Sequence, residues 1–327
     1  MKKLIYACLL MLTVLATVAC GSETIAYDVY VTVYPLQYIT EEILKDTTLT
    51  VGIVPGVSSH QDSVDWSPKE IIAMRNATLL FYVGANYDQY IDLQVESIFA
   101  EEGVELVKIE NETDYIQFIP GIIDDHDHNT EITSSSALTE AETLGLDPHF
   151  WISPKKMIQV SKLIYDRIIL KYPMLISTLA SNYNQLIENL TDLSLDFEQV
   201  ILGQKDTAMF STNLYGYLRE DYGLHYISIS PGYHEETEQF TTQAKEEIVN
   251  DAILYNIKYI IYERNTSSPL SNAVFTDLNF LGYDPVKLEY DILQSLTDEE
   301  RSLGEDYISI MTANLELLKL AVGYIEE

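Results

Sequence analysis

Apolar residues fall into short runs rich in β-branched and aromatic types, separated by longer stretches with a helical period. VYVTVYP, residues 29 to 35, predicts a buried strand ended by proline, and QYITEEILKD behind it predicts a helix. LTVGIVPG (49 to 56) predicts a second strand that closes in a Pro-Gly loop. SPKEIIAMRNATLLFYVGAN then gives a helix opened by Ser67 and Pro68, followed by the strand ATLLFYVG. The pattern lapses from Asp124 to Gly145, DDHDHNTEITSSSALTEAETLG, where polar sequence without an apolar period predicts a mobile surface loop. Ser153 and Pro154 then start a helix that runs to about Tyr172, with His149 on the loop just ahead of it.

Residues 175 to 201, LISTLASNYNQLIENLTDLSLDFEQVI, keep helical spacing over a length well above the average globular helix. A helix that long suggests a strut between two bodies. Beyond it the rhythm resumes: TAMFST as strand, YGYLREDYGL as helix and turn, HYISIS as strand, FTTQAKEEIVNDAILYN as helix, YIIYE as strand, and a closing helix around DYISIMTANLELLKLAVGYIEE. Strand and helix alternating at this spacing predict an α/β fold, two halves each with a mostly parallel sheet flanked by helices.

The first residues, MKKLIYACLLMLTVLATVAC, form a secretory signal too short for a stable membrane span. Cys20 behind the apolar run and Ala19 resembles the lipobox of bacterial lipoproteins, which implies cleavage before Cys20, acylation of its thiol and a lipid tether; an ordinary signal cut nearby is the alternative. The expected division is then signal peptide 1–19, linker 20–27, a first lobe 28–174 containing the 124–145 loop, a linking helix 175–201, and a second lobe 202–327. Cys8 and Cys20 are the two cysteines, so the mature chain is expected to hold no disulfide and to depend on burial for stability. A formal net charge of −32 argues against nucleic acid or anionic lipid as a partner and fits a cationic ligand.

In open α/β sheets, ligands bind at the loops leaving the carboxyl ends of strands. His60, in GVSSHQDSVDWSPK, and His149, in LDPHFWISPKKM, both take such positions. These segments, with VYVTVYPLQYITEEIL, YGYLREDYGL before ISIS, and the C-terminal LTDEERSLGEDYISIMTANLELLKLAV, resemble the substrate-binding lipoproteins of zinc and manganese ABC importers, the ZnuA-like family, over most of the mature chain. The resemblance implies two lobes joined by one rigid helix, a divalent metal (zinc, with manganese as the alternative) held in the cleft between them, and delivery to a membrane permease. It implies ligands at His60 and His149 from the first lobe and two more from the second. The third falls on Thr212, with Asn213 beside it, and neither is a good zinc ligand. The fourth falls on Asp291, or on Gln294 in another alignment of LEYDILQSLT.

His126 and His128 stand where zinc-binding members often carry a histidine-rich loop, so they collect metal for the cleft, reach in to complete the shell, or belong to a solvated acidic loop that binds metal only weakly. His225 and His234 match no ligand position. A monomer is expected, held outside the cytoplasmic membrane, with no enzymatic activity. Two rival readings remain: the same fold with a degenerate site serving another cargo or a surface-interaction role, and a secreted metallohydrolase built on DDHDH. The second lacks support from any HExxH, GxSxG or phosphate-cradling glycine loop. The scattered tyrosines, 24 in number, are read as core and rim.

Overall fold

The computed structural model describes residues 25–57, 63–94, 98–99, 103–122, 143–235 and 241–326. Cys20, His60, His126 and His128 therefore lie outside the described residues. The first sheet is parallel, built from β1 (Val29–Val31), β2 (Val51–Ile53), β3 (Leu79–Tyr82) and β4 (Glu105–Lys108) in the order β2-β1-β3-β4. The second is parallel as well, with β7 (Ala208–Phe210), β8 (Tyr226–Ser228), β9 (Tyr259–Glu263) and β10 (Val286–Tyr290) in the order β10-β9-β7-β8. Read from the other edge, the second sheet repeats the winding of the first. Between them in sequence, β5 (Pro120–Ile122) pairs antiparallel with β6 (Thr143–Leu146). The tail of the stretch expected to be a loop, residues 143–145, is thus strand, because it finds a backbone partner in β5 that its polar sequence does not announce.

Helices α1 (Tyr34–Leu44), α2 (Pro68–Arg75) and α3 (Gln89–Asp92) accompany the first sheet. The strand expected across residues 29 to 35 stops at Val31: Val33 is the extended N-cap of α1, and Pro35 lies in its first turn. A proline costs nothing there, since the first-turn N–H groups have no helical partner in any case. Ser67 caps α2 with a full capping box, its side chain accepting from Glu70 N–H while the Glu70 carboxylate accepts from Ser67 N–H. Ser153 likewise caps α4 (Pro154–Lys171).

The strut is α5 (Ile176–Leu202), 27 residues long and preceded by a short 3₁₀ turn at Pro173–Leu175. Leu179, Leu186, Leu190, Leu193, Phe197 and Val200 form its buried stripe at spacings of three, four and seven, as one helical face requires. It packs on α1 and α4 of the first half, and on α6 (Gly216–Tyr222) and α10 (Tyr307–Ala321) of the second. One hydrophobic cluster therefore runs from Val29 and Phe81 through Leu190 to Phe210, Tyr307 and Val322. Two smaller clusters, around Tyr30, Trp66 and Leu80 and around Met209, Ile248 and Ile260, fill the far face of each sheet. The remaining helices are α7 (Thr242–Leu254), α8 (Pro269–Phe280) and α9 (Asp298–Ser302). Among the described residues no helix is long and apolar enough to cross a membrane.

Direct bonds join the halves near the helix-start motif. The Trp151 indole N–H donates to Ile292 C=O (2.9 Å), and Tyr307 O–H donates to Trp151 C=O (2.7 Å). Ser153 O–H donates to Asp221 (2.6 Å), whose other oxygen pairs with the Lys156 ammonium at 3.1 Å. Trp151 and Tyr307 are fully buried, so these bonds are made in a dry setting, where leaving a partner unsatisfied costs most.

Candidate metal centre

Each sheet reverses its winding beside its first strand, and ligands gather at such switch points. In the first sheet the switch lies between β1 and β3, and in the second between β7 and β9. His149 joins the two. It is fully buried and precedes a 3₁₀ turn at Phe150–Ile152 that leads into the Ser153 cap. Its backbone N–H and its ring Nδ1 both reach the same oxygen of Asp147, at 2.9 Å each. A carboxylate oxygen can only accept, so Nδ1 carries a hydrogen, and whenever the ring is neutral its lone pair falls on the buried Nε2. A carboxylate behind the imidazole is the usual device for fixing the tautomer and orientation of a metal-binding histidine.

Asp147 is in turn fixed from both halves. Its N–H donates to Ile119 C=O (2.9 Å), and its own C=O accepts from Tyr217 O–H (2.7 Å). The first residue of α6 is Gly216, and a Cβ there would lie 3.0 Å from an Asp147 carboxylate oxygen. Glycine thus permits the close approach. Three aromatic rings stand edge-on around the His149 ring, with centroids at 4.8 Å (Tyr233), 5.4 Å (Trp151) and 6.2 Å (Tyr87). Tyr87 comes from the loop after β3, and Tyr233 from the loop after β8. They exclude water and lower the local dielectric, which strengthens any charge interaction with a bound cation.

From the second half, Thr212 lies two residues past β7 and is buried, as the third ligand position requires, but its hydroxyl is committed to Glu263. Glu263 is the last residue of β9, only 4% exposed, and close enough to His149 for the two to interact electrostatically. Burial pushes its carboxyl above the ordinary range, against the bonds from Thr212 and Thr266 and the nearby imidazole, which hold it down. Asn213, beside Thr212, is engaged within its own half: its amide donates to Pro231 C=O (3.2 Å) and its carbonyl oxygen accepts from Tyr226 O–H (2.5 Å).

Asp291, the expected fourth position, follows β10 and is engaged by other groups. One oxygen pairs with Arg264 at 3.2 Å, and the other accepts from Leu293 N–H at 2.8 Å. Arg264 also binds Glu300 at 2.9 Å. Burial raises the Asp291 carboxyl, with the Leu293 N–H and the Arg264 guanidinium acting the other way. His225 is exposed, its ring 3.2 Å from the Thr207 hydroxyl, and His234 is exposed on the loop after β8. Among the described residues no three His, Cys, Asp or Glu side chains converge into a metal shell. What they do assemble is one oriented imidazole within electrostatic reach of a buried carboxylate.

Sequence reasoning passed over Asp147 and Glu263. The signal for Asp147 was a carboxylate two residues ahead of the histidine in LDPH. The signal for Glu263 was a lone acid ending the apolar strand YIIYE at its carboxyl end.

Residues 29–321 match the family described as the zinc-uptake complex component A, periplasmic. The chain belongs to that family. It is 27% identical over 317 residues to the zinc-binding lipoprotein AdcA of Streptococcus pneumoniae, covering 94% of this chain and 59% of that protein. It is 25% identical to the high-affinity zinc uptake system protein ZnuA of Bacillus subtilis, covering 89% of this chain and 86% of that one. Two further AdcA relatives from Streptococcus pyogenes are matched over 55% of their length, so the chain spans little more than half of several proteins it resembles. The crystal structure of the Zn(II)-bound ZnuA-like domain of S. pneumoniae AdcA superposes with a TM-score of 0.68 at 22% identity, covering 91% of this chain and 99% of that domain. That likeness establishes the shared two-lobed fold.

Proposed function

We propose that this protein is an extracytoplasmic receptor that captures a divalent transition metal, zinc before manganese, between its two lobes and hands it to the permease of an ABC importer. The observation that carries the reading is the His149 imidazole, buried, held through Nδ1 by Asp147 and close enough to the buried Glu263 of the other half to interact with it electrostatically. Zinc suits a nitrogen and carboxylate oxygen set. The reading is supported by the names of the relatives, a zinc-binding lipoprotein and a zinc uptake system protein among them.

His60 supplies the second imidazole of the first lobe, and the lobes divide as 28–174 and 202–327 about the 175–201 helix. Acylation at Cys20 tethers the protein to the outer face of the cell membrane, where it acts as a monomer. His126 and His128 collect metal for the site. Binding, not turnover, is the function.

The test strips the purified mature protein with a chelator and titrates divalent ions by calorimetry. A zinc site tighter than micromolar is expected, and its absence for every divalent ion would sink the proposal. Zinc at a hundred times its dissociation constant should also stabilise the fold by about 2.7 kcal/mol, read as a rise in melting temperature that chelator reverses. A second reading, another cargo in the same cleft, draws on Thr212 standing where a ligand is expected; it predicts no gain in stability with zinc.

A further inference from the structure

We propose that Glu263, and not Asp291 or Gln294, is the carboxylate that the second lobe contributes to the metal, and that Thr212 acts as its positioning residue. The inference rests on the metal-capture reading above and names a ligand for it.

The geometry at the second switch point carries the argument. β7 and β9 are parallel, hydrogen-bonded neighbours, so Thr212 and Glu263 stand together at their carboxyl ends. Glu263 terminates β9, so its backbone is fixed by the ladder, with Glu263 paired to Tyr290 of β10 in register. The side chain is nine-tenths buried or more, and it is close enough to His149 of the other lobe to interact with it electrostatically. The position that resembles a ligand site in sequence holds Thr212, a residue too short and too weak a donor atom to hold zinc. Its hydroxyl instead donates to Oε1 of Glu263. A threonine in this place therefore fixes the carboxylate's rotamer, as outer-sphere partners do for metal-binding carboxylates.

Asp291 has the opposite circumstances. Its two oxygens are already engaged by the Arg264 guanidinium and by the Leu293 N–H, and Arg264 is anchored further by Glu300. For Asp291 to bind a metal, a cation would have to replace an existing ion pair. For Glu263, a cation would bring a counter-charge to a buried carboxylate that is held by threonine hydroxyls. The second arrangement gains more from the same ion.

The experiment measures zinc affinity by chelator competition for the wild-type protein, E263Q, D291N and the double variant T212H/E263Q, with the apo melting temperature of each as a folding control. E263Q should lose more than the roughly 10–100-fold that an outer-sphere partner is worth, while D291N should stay within about tenfold of wild type. T212H/E263Q should recover much of the loss by restoring a nitrogen donor at the switch point. X-ray absorption at the zinc edge should show one oxygen fewer in the shell of E263Q.

A zinc-loaded crystal with anomalous scattering at the metal edge makes the decision independent of variant folding. An ion within about 2.0–2.2 Å of a Glu263 oxygen supports the proposal. An ion bonded to Asp291 or Gln294 with Glu263 outside the shell overturns it while leaving metal capture intact. A wild-type protein with no zinc site overturns both.

Discussion

The mouths of the two sheets carry the same device put to different use. At the first, Asp88 sits behind β3 and bridges to Thr32, the residue after β1; at the second, Glu263 ends β9 and bridges to Thr212 behind β7. Both carboxylates are buried, and each pairs with a threonine across a switch point. They differ in what else they bind. Asp88 accepts from Thr32 O–H (2.6 Å), Val83 N–H (2.6 Å) and Gly84 N–H (2.8 Å), so main-chain donors saturate it and fasten the turn that presents Tyr87. The bonds found on Glu263 come from threonine hydroxyls, which can rotate. A buried charge satisfied by rigid backbone is structural, whereas one held by adjustable hydroxyls opposite an imidazole is fit to receive an ion.

The comparison breaks most readily at His149. His149→Ala should remove tight zinc binding altogether, a loss beyond the roughly 100-fold upper range for outer-sphere changes, measured by chelator competition. If it does not, the oriented imidazole is packing and the contrast between the two mouths has no functional meaning. Asp147→Asn should weaken zinc by roughly 10–100-fold, because an amide no longer fixes the Nδ1–H tautomer, with the apo protein's melting temperature little changed. An effect on melting without one on affinity would reassign Asp147 to the fold.

Trp151→Phe should destabilise the protein by roughly 1–3 kcal/mol in denaturant titration, since the Ile292 carbonyl loses its buried donor. Smallest and most specific is a pH effect at Asp88, whose carboxyl burial pushes up to about 6 from 3.8, against the three bonds it accepts. A group raised in the folded state favours folding when protonated, so its contribution is complete below about pH 4 and lost as pH rises through about 6. Relative to Asp88→Asn, wild-type stability should fall across that window. A flat difference would show that backbone donors keep Asp88 charged throughout, which would sharpen its distinction from Glu263.

Much of the fold was legible because periodicity is a local signal. The Ser67 and Ser153 caps, the strand YIIYE and the long strut are found as expected. What escaped depended on pairing between distant segments. Residues 143–145 become strand through β5, and the edge strand Val286–Tyr290 has its first two residues and Glu289 exposed, without the apolar run that marks an inner strand. At the site, LDPHFWISPKK made His149 conspicuous, since a histidine ahead of a helix cap is a pattern within one segment. Glu263 could not be singled out that way. Its meaning comes from Thr212 and His149, which lie 51 and 114 positions earlier in the chain and meet it only after both sheets are wound.

Trp151 stands two residues beyond the imidazole, riveted by its indole to Ile292 and by its carbonyl to Tyr307. Prising the halves apart would rupture both links and pull the His149 ring along with them. If the proposed metal is released without partial unfolding, the release proceeds by displacements small enough to spare those two bonds, and a variant selected for quicker discharge should surrender thermal resistance in the same step.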